Sequence, residues 1–155
     1  NLILSKKANA TLHLPNNIQA VKSYNNLELT KLNIKDNIYE IQISEYLNLP
    51  NGKNLEIVKS SKIDDNNICR LDFSSVKPPL YVRNRHDGDK MTVKGMLGRK
   101  KISDIFIECK IATKDRDLWP VVCDADDNIV WLPDLKKSKF CKEKLEKCDI
   151  ILKYY

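Results

Sequence analysis

The 155-residue sequence predicts an α+β domain, strand-rich in its first half and carrying two short helices in its second. Three observations carry that assignment. Residues 1–76 hold short period-two stretches separated by polar turns and no long amphipathic helix. A stretch beyond residue 100 changes to helical periodicity. Between them, three of the four glycines (Gly88, Gly95 and Gly98) fall within residues 83–101, where the backbone must turn. The length suffices for a self-supporting core, so one domain is expected over 1–155, built from halves 1–79 and 80–155.

In the first half, Ala10, Leu12 and Leu14 share one side of a strand over 8–14. Pro15-Asn16-Asn17 and Asn25-Asn26 are turn signals, and 18–24 and 27–30 supply two more strands of a meander. Tyr39, Ile41 and Ile43 alternate with Glu40 and Gln42 in a fourth strand. The segment Leu47 to Gly52 closes it, ending on the turn dipeptide Asn51-Gly52. Residues 55–58 and 68–73 add two more strands. Lys77-Pro78-Pro79 is extended, because two prolines disfavour helix and remove two donors; it reads as a joint within one domain.

In the second half, Leu80-Tyr81-Val82 runs as a strand into Arg83-Asn84-Arg85-His86-Asp87-Gly88-Asp89-Lys90. Ile102, Ile105, Phe106 and Cys109 lie on one face of a helix over 101–110. Thr113 is offered as the N-cap of a second, short helix that Trp119-Pro120 ends. Residues 121–123 and 129–132 are buried strands joined by a hairpin turn at 125–128. The lysine-rich segment 136–147 admits helix or loop, and 149–154 is a final strand.

Lys and Arg total 27 against 21 Asp and Glu, a net +6 that admits nucleic acid or an acidic surface as partner. The five cysteines form no C-x-x-C pair, and Cys69, Cys109 and Cys123 sit among apolar neighbours as reduced core thiols, so a cytoplasmic protein is expected. No apolar run reaches membrane-spanning length, and neither a signal peptide nor a membrane partner is expected. The opening Asn1-Leu2-Ile3-Leu4 reads as the start of a piece of something longer.

No catalytic or metal constellation stands out. His13 and His86 lack metal-ligand spacing to any cysteine. Asp124, Asp126 and Asn128 resemble the start of a calcium loop, but Ile129 stands where its glycine belongs. Asp87 and Asp89 flank Gly88, where they would cap amides or orient Arg83 and Arg85. Trp119 and Trp131 read as core residues. What remains is a basic set suited to phosphates and riboses: Arg83, Arg85, Lys90, Lys94, Arg99, Lys100 and Lys101, with Lys136, Lys137 and Lys139 joining in space. A solvated basic loop, or a basic strip packed against an acidic protein surface, would carry the same composition.

Five motifs then occur in order. They are Val82-Arg83-Asn84-Arg85 with Gly88-Asp89-Lys90; Gly95-Met96 with Gly98 and Lys100-Lys101; Ile105-Phe106-Ile107; Arg116-Asp117 with Trp119-Pro120-Val121-Val122; and Ile129-Val130-Trp131-Leu132-Pro133. The series resembles the C-terminal domain of tRNA(Ile)-lysidine synthase, with Leu14-Pro15-Asn16 and Ser23-Tyr24 similar to the segment that precedes it in that family. Asp134 stands where the family usually carries glycine.

The resemblance implies a layered β/β/α domain similar to the B3/4-type domain of the phenylalanyl-tRNA synthetase β chain. It implies a parent ligase that uses ATP and magnesium to adenylate the wobble cytidine of a CAU-anticodon isoleucine tRNA, which lysine then attacks to give lysidine. The ATP-binding site would lie in an N-terminal domain outside this chain, which itself would hold no cofactor and no catalytic residue. The chain would grip the tRNA acceptor stem through Arg83, Arg85, Lys90, Lys94, Arg99, Lys100, Lys101, Arg116, Lys136 and Lys137, on turns held by Gly88, Asp89, Gly95 and Gly98. Its other expected partner is the N-terminal domain. The alternative is a protein-interaction module packing on the catalytic domain or on a second copy as a homodimer.

Overall fold

The computed structural model describes residues 9–14, 18–23, 26–31 and 38–155. The chain divides into two compact units, Asn1–Ile38 and Tyr39–Tyr155. In the first, β1 (Asn9–Leu14), β2 (Ile18–Ser23) and β3 (Asn26–Lys31) form the antiparallel meander that the alternation predicts. The turns expected at 15–17 and 25–26 lie wholly or partly outside the described residues, as do residues 1–8 and Tyr24.

The second unit runs β4 (Glu40–Gln42), β5 (Tyr46–Asn48), β6 (Asn54–Val58), β7 (Ile68–Leu71), β8 (Tyr81–Arg83), β9 (Lys90–Met91), β10 (Lys100–Lys101), α1 (Ile102–Glu108), α2 (Thr113–Arg116), β11 (Val121–Cys123), β12 (Ile129–Leu132), β13 (Lys136–Lys137) and β14 (Ile150–Tyr154). Strands β13-β12-β11-β8-β4 make a five-stranded sheet, β5-β6-β14-β7 a four-stranded one, and β9-β10 a separate ribbon. Every pairing is antiparallel.

The five-stranded sheet is the middle layer. Val82, Val122 and Trp131 on one face share a core with Leu55, Leu71 and Leu152 of the four-stranded sheet. Val121, Cys123 and Leu132 on the other share a second core with Ile102, Ile105 and Phe106 of α1. This is a β/β/α layering. Burial on both faces explains why β11 and β12 read as unbroken apolar runs instead of alternating ones.

Four strands escaped sequence reading because two or three residues cannot display a period: β5, β9, β10 and β13. Tyr46–Asn48, at the edge of what reads as a closing turn, pairs with β6 instead. Thr113 is the first helical residue of α2, with Ala112 at the N-cap and no side-chain cap. Among the described residues 136–147 contain β13 and turns but no helix, because Phe140 and Cys141 are tied down on the first core. The bond between Pro78 and Pro79 is cis, and Leu80 beyond it accepts the Ile43 amide at 2.9 Å.

Candidate nucleic-acid interface

Strand β8 lies between β4 and β11, and its last residue, Arg83, points into the molecule. Only 1% of Arg83 is exposed. Its Nη1 and Nη2 donate to the two Asp89 oxygens at 2.8 and 3.1 Å, its Nε donates to Asp127 Oδ1 at 3.2 Å, and Nη1 also reaches the Asn84 carbonyl. Arg83 therefore cannot touch a nucleic acid, contrary to the expectation from its sequence; a central strand covered on both faces leaves its side chain no exit. Burial, the largest single effect, opposes the Arg83 charge, but the Asp89 hydrogen bond and the nearby negative charges of Asp89 and Asp127 together raise the guanidinium further. Burial likewise pushes the Asp89 carboxyl up, and its bonds from Arg83 and the His86 amide overcome this and hold it below the usual 3.8.

This pair organises the loop. Asp89 Oδ2 accepts the His86 amide at 2.7 Å, and the Asp89 amide donates to the His86 carbonyl at 3.2 Å. The turn needs positive φ at its third residue, which Gly88 supplies at 82°. A Cβ there would meet open space, so conformation and not crowding demands glycine. Gly95 and Gly98, at φ 79° and 76°, bend the tip of the β9–β10 ribbon in the same way. Arg85, two residues past Arg83, emerges at the surface. Its guanidinium lies 5.5 Å from the Phe106 ring centroid and donates to Asp117 at 3.1 Å.

The remaining cations sort by partner. Lys94 binds Glu143 and the Cys141 carbonyl, Lys100 binds Glu108, Lys137 binds Asp64, and the Arg116 Nε donates to the Ile111 carbonyl. Among the described residues no carboxylate lies within ion-pair distance of Lys90, Arg99, Lys101 or Lys136. The two basic segments meet. The Lys94 amide donates to the Lys137 carbonyl at 3.0 Å and the Lys139 amide to the Thr92 carbonyl at 2.9 Å. Glu108 feels both: Lys100 first, then Lys136, hold its carboxyl below its ordinary value. Lys90 and Lys101 are register partners across the ribbon. Lys90, Lys94, Lys100, Lys101, Lys136, Lys137 and Lys139 thus cluster around one ribbon, whereas Arg116 sits on α2.

Beside the ribbon is a cavity of about 170 Å³, walled by Arg85, His86, Asp87 and Gly88 on one side and Lys101 and Ser103 on the other. Sequence reading had no signal for Ser103, which reaches the cavity only because the Ile102 amide donates to the Asp89 carbonyl at 2.9 Å. The Asp124 carboxylate is consumed locally by the amides of Lys77, Asp126 and Asn128.

The fold and the site define a β/β/α domain with a glycine-turned loop and a basic ribbon, and known proteins of that class match it. Residues 80–152 match the family described as "TilS substrate C-terminal domain". A crystal structure of a TilS C-terminal domain aligns with 76% of this chain and 95% of its own, at 40% identity and a TM-score of 0.69. The tRNA(Ile)-lysidine synthases of Bacillus licheniformis and Geobacillus kaustophilus are 38% and 37% identical over 93% of this chain. The bifunctional TilS/HprT protein of Listeria innocua is 34% identical over 92%. An N-terminal fragment of the phenylalanyl-tRNA synthetase β-subunit from Pyrococcus horikoshii aligns at 19% identity and a TM-score of 0.46, too distant to bear on the site. The chain belongs to the TilS C-terminal domain family. It spans about a third of the two synthases and 23% of the Listeria protein.

Proposed function

We propose that this chain is the tRNA-gripping C-terminal domain of a tRNA(Ile)-lysidine synthase. The parent enzyme would use ATP and magnesium, held by its N-terminal domain, to adenylate the wobble cytidine of a CAU-anticodon isoleucine tRNA and join lysine to it. This domain would hold the acceptor stem and perform no chemistry. One observation carries the reading: the backbone bonds between 92–94 and 137–139 merge two basic segments, separated by over forty residues, around one ribbon. The contacts would come from Lys90, Arg99, Lys101 and Lys136, which have no carboxylate within ion-pair distance among the described residues, supported by Arg85, Lys94, Lys100 and Lys137. Arg116 would act at the margin. Duplex RNA is read through phosphate and ribose shape, for which such a face is suited.

The test is binding of the chain to tRNA as salt is varied. Four to six phosphate contacts give a log–log slope of roughly −4 to −5 by the duplex rule. Arg99→Ala with Lys136→Ala should flatten that slope by about 2 while leaving the fold intact. A tRNA with a scrambled acceptor stem that binds as tightly as the cognate removes the acceptor-stem assignment. A second reading has Leu97 in its favour, fully exposed at the ribbon tip beside half-exposed Met96. On that reading the tip packs on the catalytic domain or a second copy, and gel filtration would show dimers with no shift on adding tRNA.

A further inference from the structure

The cavity between 85–88 and 101–103 has features that the basic ribbon does not share. Its walls are fixed. On one side, Asp89 clamps the His86–Asp89 turn to buried Arg83. On the other, Lys101 pairs with Lys90 and the Ile102 amide bonds to the Asp89 carbonyl. The two walls are therefore tied together through Asp89.

Its lining is that of an anion site. Arg85, His86, Lys101 and Ser103 line it, and the Asp87 and Gly88 amides donate to no protein group among the described residues. Asp89 also borders the cavity, but its two oxygens are spent on Arg83 and the His86 amide. Asp87 is the one opposing carboxylate with no such engagement. Arg85 is already oriented by the Phe106 ring and Asp117, so its fork is held in place before any ligand arrives. A volume of about 170 Å³ accommodates a single phosphate group.

We propose that this cavity binds one phosphate group of the RNA, through Arg85, Lys101, the Ser103 hydroxyl and the turn amides. The proposal rests on the tRNA-binding reading and adds a discrete subsite to it. The phosphate is either the terminal monoester at the 5′ end or an internal diester; both present the same oxygens to these donors.

The experiment titrates the chain with inorganic phosphate, against chloride at equal ionic strength, and follows backbone amide resonances. Saturable shifts at Gly88 and Ser103 are expected. Ser103→Ala, which changes no charge, should weaken phosphate binding about 3-fold or more, and Lys101→Ala about 10-fold. Asp87→Asn should tighten it about 2-fold or more by removing the opposing charge. Shifts that do not saturate, or that persist unchanged in Ser103→Ala and Lys101→Ala, overturn the site. Binding of tRNA that is weakened by Ser103→Ala supports it, and enzymatic removal of the 5′-phosphate then separates the sources: equal weakening assigns the terminal group, no effect an internal one. Failure of the two readings is distinguishable. A flat phosphate titration with intact tRNA binding overturns the subsite alone, whereas saturable phosphate binding with no tRNA binding overturns the tRNA reading and the RNA source of the phosphate, leaving an anion site.

Discussion

Arg83 and Asp89 form a buried two-pronged ion pair, Nη1 to Oδ2 at 2.8 Å and Nη2 to Oδ1 at 3.1 Å. The pair joins the end of a central strand to the turn that precedes the basic ribbon. It makes an arginine that looks made for phosphate the anchor of the loop that carries Arg85. The exposed work falls to Arg85, at the same strand parity but beyond the end of β8, where no neighbouring strand covers it.

Asp89→Asn should cost about 3 kcal/mol, because it leaves the Arg83 charge buried with only the exposed Asp127 as a carboxylate partner. In a domain of this size that is a fall in Tm of roughly 6–12 °C, measured by calorimetry. Arg99→Ala, at an exposed tip, should leave Tm within about 2 °C of the parent. Equal Tm values for all three proteins would show that the pair does not anchor the loop.

The same carboxylate sets an acid limit. Its folded pKa is below the unfolded value, so its contribution is full above about pH 4 and is lost as pH falls through the folded value. Urea unfolding between about pH 2 and 6 should show a shallower loss of stability in Asp89→Asn than in the parent. Parallel curves would assign the acid limb to other groups, such as Asp64, which the Lys137 bond holds low.

Asp134 sits at φ 69° after Pro133, and the Leu135 amide donates to the Leu132 carbonyl at 3.1 Å. That is the pattern of a type II turn, with proline second and a left-handed third residue. Glycine is the residue the family resemblance leads one to expect there, and the backbone explains why. Asp134→Gly should raise stability by up to about 1 kcal/mol, read from urea unfolding. A loss of similar size would mean the Asp134 side chain contributes more than its strain costs.

The five cysteines differ in access. Cys69, Cys123 and Cys141 are buried, and Cys109 and Cys148 are half-buried. Burial pushes the Cys123 thiol up to about 12. Cys69 and Cys141 lie 3.3 Å apart, sulfur to sulfur, and burial keeps Cys69 protonated. Only Cys109 and Cys148 should react with a thiol reagent at about pH 8 in the native protein, and all five in denaturant. Fast native labelling of Cys123 by peptide mapping would contradict the packing of the second core.

Much of this domain was legible in its residues. Alternation located the first-unit strands, the unbroken runs at 121–123 and 129–132 located the buried hairpin, and Ile102, Ile105 and Phe106 marked the inward face of α1. Turn glycines at 88, 95 and 98 were legible because positive φ is a local demand that one residue type meets. The ordered motifs carried the family. Local sequence could do this because period, turn chemistry and apolar content act within a few residues of themselves.

Which charges face outward was decided only by the tertiary structure. Arg83 and Arg85 are equivalent in sequence terms, both cations flanking Asn84, yet one is sealed between layers and the other lies on the surface. Lys137 and Lys94 share a face because backbone bonds join segments over forty residues apart, and Ser103 lines the cavity beside Ile102, whose amide donates to the Asp89 carbonyl. Exposure and pairing depend on which strands cover which faces, and no window along the chain contains that information.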